Sequence, residues 1–132
     1  MLCGLCVCTP WLILPCAAKP APATTQTEFF ENKIRPLFAE HCYKCHSAEA
    51  EKLKGGLRLD SPEAILKGGS SGSSLIPGDP DGSLFIKAVR FSDPDLQMPP
   101  KKKLSGEQIT LLEAWVKMGA PMPQSSRSEP CK

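Results

Sequence analysis

Residues 41–46 read His-Cys-Tyr-Lys-Cys-His, a stretch that holds both histidines of the chain and two of its seven cysteines. Thiols and imidazoles serve as metal ligands, redox groups or nucleophiles, so their spacing has to decide among these uses. A structural zinc site needs four ligands in a tetrahedron and normally draws two of them from a distant second pair. After His46 only Cys131 remains, and His41 and His46 adjoin the cysteines too closely for all four to wrap one ion. A thioredoxin-like dithiol wants a βαβ surrounding, whereas the pattern here is helical. A plain disulfide, or two buried thiols, is the bland alternative.

A fourth reading fits the spacing without strain. Helical residues three apart share a side, so Cys42 and Cys45 can both add their sulfurs to the vinyl groups of one porphyrin, and His46 can turn its imidazole under the ring as an axial ligand. The chain has no third histidine to supply a second axial ligand, and methionine is the natural substitute because its neutral, soft thioether favours ferrous iron. Of the four methionines, Met1 opens the chain, Met118 falls on the apolar face of the last expected helix and Met122 follows in the tail. Met98 stands apart in "DLQMPPKKKL", a loop that Pro99 and Pro100 are expected to hold extended.

Several elements must position these groups. The chain has 132 residues, with 41% hydrophobic and 23% charged content, which suits one small globular domain. Its 16 basic and 14 acidic residues are spread evenly, a pattern that excludes a general nucleic-acid binder. Residues 1–23 open on an apolar run, Leu2 to Leu14, too short to span a bilayer, and close on Ala21-Pro22-Ala23 in the small-x-small pattern of an export signal. The first basic residue is Lys19, so the usual leading positive charge is missing; a lipid anchor at Cys16 is the alternative. Cys3, Cys6, Cys8 and Cys16 lie in this segment, and the odd trio Cys42, Cys45 and Cys131 that remains cannot build a multi-bridge framework. No membrane span is expected in the rest.

Helical periodicity dominates residues 24–122. Thr25 with Glu28 makes a capping box for a first helix, and Phe30, Ile34, Phe38, Cys42 and Cys45 follow as one stripe leading into the cysteine pair. Pro36 inside it predicts a kink or a break. Ser61-Pro62-Glu63 starts a short helix over about 62–67, closed by Gly68-Gly69, and Asp79-Pro80-Asp81 starts another over about 80–89. The "GGSSGSSLIPG" between them reads as a connector, since it lacks the Gly-Lys-Ser/Thr ending of a phosphate loop. The last helix is capped by Ser105 with Gln108, carries Ile109, Leu112 and Val116 beside Leu111, Trp115 and Met118, and ends at Gly119 and Pro121. Residues 123–132 read as a polar, disordered tail. The fold class is therefore all-α.

With "FFENKIRPLFAEHCYKCHS", "LKGGLRLDS", "ILKGG", "IPGDPDGSLFIKAV" and "MPPKKKLSGEQITLLEAWVKMGAP" in place, residues 27–121 resemble the Planctomycete cytochrome c domain, a branch of the class I c-type cytochromes. The resemblance implies one haem c on Cys42 and Cys45, axial ligation by His46 and Met98, and first and last helices crossing near Phe30 and Trp115. Together with the export pattern of residues 1–23, the expected function is an exported electron carrier of the periplasm or cell envelope, working by outer-sphere transfer, and not an enzyme. A haem enzyme or gas sensor with an open iron site is the alternative, as is the N-terminal haem domain of a longer exported protein. Lys101, Lys102 and Lys103 either form a solvated run or steer an acidic redox partner to the haem edge. Arg58 is the candidate for a haem propionate.

Overall fold

The computed structural model describes residues 23–123. The export segment before Ala23, Cys16, Cys131 and the tail beyond Pro123 lie outside the described residues. Within them the regular structure is helical, and the sole strand-like feature is an isolated bridge between Gly69 and Gly72.

Helix α1 (Ala23–Phe29) passes into a π turn over Phe30–Ile34 and then into α2 (Arg35–His41). The chain is already helical at Ala23, so Thr25 lies inside α1 and not at its cap. A proline in a helix offers no N–H and its ring collides with the carbonyl four residues back. The helix is not broken at Pro36 but widened before it: the Arg35 N–H bonds to the Phe30 carbonyl five residues back, which is π geometry. Pro36 thereby falls in the first turn of α2, where a missing N–H costs least. One more turn, α3 (Tyr43–His46), carries the second cysteine and the histidine.

Helix α4 (Pro62–Lys67) starts at Ser61, whose hydroxyl accepts from the Ala64 N–H at 3.2 Å. Helix α5 (Leu84–Arg90) begins later than the Asp79-Pro80 signal suggests. Asp79 instead closes a turn, its carboxylate accepting from the Gly82 N–H at 2.9 Å, while the Ser83 hydroxyl is spent on the Asp79 carbonyl at 2.7 Å. Helix α6 (Gly106–Lys117) shows the full capping box between Ser105 and Gln108. It ends in a Schellman arrangement, with the Ala120 N–H on the Trp115 carbonyl and the Gly119 N–H on Val116. Met118 is the C-cap and 38% exposed, so it does not join the core as its place on the apolar row suggested.

The core forms where the π turn and α2 meet α5 and α6. Trp115 is its centre: the Phe38 ring stands edge-on to it at 5.4 Å, Phe30 lies at 5.8 Å and Phe85 at 6.4 Å. The indole N–H donates to the Pro121 carbonyl at 2.9 Å, so this large side chain buries no unpaired donor. The contact expected between Phe30 and Trp115 is present.

Candidate functional site

Cys42 closes α2 by donating its N–H to the Phe38 carbonyl and opens the next turn by accepting from Cys45 (3.1 Å) and His46 (2.9 Å). Both thiols and the His46 ring border a single cavity of about 400 Å³ whose wall is overwhelmingly apolar, with Leu57, Leu59, Phe85 and Val89 contributing. That is the size and character of a small-molecule site. Burial, with Cys45 adding to it, pushes the Cys42 thiol up to about 12, so at neutral pH it stays protonated and a poor nucleophile toward stray oxidants.

The His46 ring is oriented by backbone. Its Nδ1 lies 3.1 Å from the Leu57 carbonyl oxygen, and a carbonyl can only accept, so this nitrogen carries the hydrogen. In the neutral ring Nε2 is then left with a lone pair, the arrangement typical of a metal-binding imidazole. The Leu59 N–H returns a bond to the His46 carbonyl at 2.8 Å, so residues 57–59 grip His46 at both ends. Asp60 anchors that segment by accepting from the Ala48 N–H and from the Arg58 guanidinium at 3.0 and 3.1 Å. Burial opposes the Asp60 charge, but Arg58 and the Ala48 N–H outweigh it and hold the carboxyl below its usual range. Arg58 is thus committed to Asp60 and does not line the cavity.

Met98 lines the same cavity from the other stretch of chain, with 36% of its surface exposed and its N–H on the Ala88 carbonyl at 3.1 Å. The backbone bends through residues 98–102 and does not run extended; the Met98–Pro99 peptide is cis. His41 also borders the cavity, but its Nε2 lies 3.4 Å from Gln108 Nε2. The Gln108 amide oxygen accepts from the Ser105 N–H, so the amide nitrogen faces His41 and donates to it. Its lone pair is thereby engaged, unlike the Met98 thioether.

Sequence reasoning named Cys42, Cys45, His46 and Met98, which border the cavity, but missed the Leu57 carbonyl, the Leu59 N–H and the Asp60 anchor. The first two are backbone groups that no residue type announces. Only the Gly55-Gly56 pair, both at positive φ, marked a reversal that could bring 57–59 back beside His46.

Two thiols, an imidazole and a thioether around an apolar cavity fit a covalently held haem. Comparison with family models finds that residues 42–102 match the one described as Planctomycete cytochrome C. The matched stretch includes the four donors and leaves out α1, α2 and α6. Covalently bound haem c is what that family model implies. No curated protein and no solved structure matches the chain.

Proposed function

We propose that this protein is an exported monohaem c-type cytochrome that carries single electrons by outer-sphere transfer. The observation that carries the reading is that Cys42, Cys45, His46 and Met98 border one apolar cavity within the segment that matches the cytochrome family. Bound haem supplies an iron that takes up and gives back one electron. Cys42 and Cys45 would hold it through thioethers, the product of adding each S–H across a vinyl double bond. His46 offers Nε2, kept oriented by the Leu57 carbonyl, and Met98 offers sulfur. Leu57, Leu59, Phe85 and Val89 exclude water from the centre. With His46 and Met98 both bound to the iron, no site would be left on it for a substrate.

Cytochrome c domains are typically exported, and among the described residues no helix is long and apolar enough to cross a membrane. We place the protein in the periplasm or cell envelope on that basis and on the residue 1–23 pattern. The exposed Lys101, Lys102 and Lys103 follow Pro99 and Pro100, which border the cavity, and form the docking edge for an acidic redox partner. The test is a mass measurement on protein made in a host with c-type haem maturation. One haem should remain after acid-acetone extraction and vanish in the Cys42→Ser, Cys45→Ser double variant; haem that extracts from the parent protein contradicts covalent attachment.

A further inference from the structure

The function described so far uses no side chain of the Lys54–Gly56 turn or of the Gly-rich loop 68–73, yet Lys54, Gly55, Gly69, Ser71 and Gly72 all border the cavity. The two segments are pressed together backbone to backbone. The Ser70 N–H and hydroxyl both donate to the Gly55 carbonyl, at 2.7 and 3.0 Å, and a Cβ on Gly69 would run into that same carbonyl. A connector with no role has no reason to close this tightly over a cavity mouth.

What this rim offers is uncommitted hydrogen-bond donors. Lys54 is the sole lysine or arginine bordering the cavity, and among the described residues neither its ammonium group nor the Ser71 hydroxyl and N–H has a partner. Both residues are exposed, at the edge of an otherwise apolar wall. A haem is amphipathic in the same sense: its ring must be buried while its two carboxylates must stay solvated or paired.

We infer, resting on the haem reading above, that Lys54 and Ser71 seat a propionate carboxylate of the haem. Arg58, the residue the sequence suggested for this role, is spent on Asp60. An exposed pair of this kind adds little to stability. Its effect falls on the iron, because a cation fixed near the ring favours the ferrous state.

The experiment compares holo-protein variants by midpoint potential and by redox-induced infrared difference spectra in the carboxylate region. Lys54→Gln should lower the potential and shift a propionate band, Ser71→Ala should shift the same band, and Lys54→Arg should restore it. Lys52→Gln removes a neighbouring exposed charge that does not border the cavity, and should leave the band in place. Haem present with the band unmoved in Lys54→Gln and Ser71→Ala overturns the seat alone, as does an equal shift in Lys52→Gln. A parent protein without haem overturns the cytochrome reading and the seat with it.

Discussion

The His46 imidazole and the Met98 thioether approach the cavity on different terms. His46 is held by a carbonyl behind it, while Met98 hangs from a loop, partly exposed, with only its backbone N–H fixed. Truncating Met98 therefore removes the proposed ligand and little packing. Met98→Ala should lose the far-red ferric absorbance band and lower the midpoint potential while leaving the far-UV circular dichroism of the holo-protein unchanged; an unaltered band means another group binds the iron. At this scale the sequence was legible as far as side chains go: Cys42, Cys45, His46 and Met98, singled out by type and spacing, border one cavity. It was silent on the Leu57 carbonyl, which any residue could supply. Met118 shows a further limit: periodicity placed it on the apolar row, but a helix end leaves the last residue of a row with nothing to pack against.

Between residues and domain, the segment from Leu57 to Asp60 is the element that sets His46. Asp60 secures it, and because the folded carboxyl lies below the ordinary value of 3.8, its contribution is present above that value and lost as pH falls through the lowered one. Asp60→Asn should cost about 1–2 kcal/mol at neutral pH, the lower part of the scale of hydrogen bonds to a charged group because solvent screens this one, and should flatten the acid limb of stability below about pH 4. Denaturant melts across pH check this; an unchanged acid limb assigns the limb to other carboxylates. Gly68 is the matching test on the rim, since it sits at φ +76° and a Cβ there would collide with the Gly72 backbone. Gly68→Ala should destabilise the holo-protein by roughly 1–3 kcal/mol. Helices α4 and α6 were legible because their caps act locally, Ser61 on Ala64 and Ser105 on Gln108. The start of α5 was not, because Asp79 and Ser83 spend their cap-like groups on the turn ahead of the helix, Asp79 on Gly82 and Ser83 on the Asp79 carbonyl, and neither was the π turn, which resolves a conflict between Pro36 and a stripe that has to stay buried.

Across the whole molecule, one aromatic cluster joins the π turn, α2, α5 and α6, with Trp115 at its centre. Trp115→Ala should cost about 3–5 kcal/mol, read from chemical denaturation of the holo-protein. The cavity beside this cluster is large for so small a domain. At about 24 cal/mol per Å³, an enclosed apolar void of about 400 Å³ costs on the order of 10 kcal/mol, an upper bound here because Lys54 and Met98 open it to solvent. Small domains have only about 5–15 kcal/mol in all, so the protein without its haem should be poorly folded. The Cys42→Ala, Cys45→Ala double variant should show a broadened, low-temperature transition and bind hydrophobic dye; a cooperative melt matching the holo-protein contradicts a haem-dependent core. The all-α class was legible from periodicity, but the cavity was not, since no single segment encodes a space left between four.

The most direct test is the ferric and ferrous absorbance spectrum of the protein made in a host that attaches c-type haem. Iron held between His46 and Met98 predicts a sharp low-spin ferrous spectrum together with the weak far-red ferric band of methionine ligation. A high-spin spectrum would remove Met98 and point to an open iron site, and a colourless folded protein would contradict the cytochrome reading altogether.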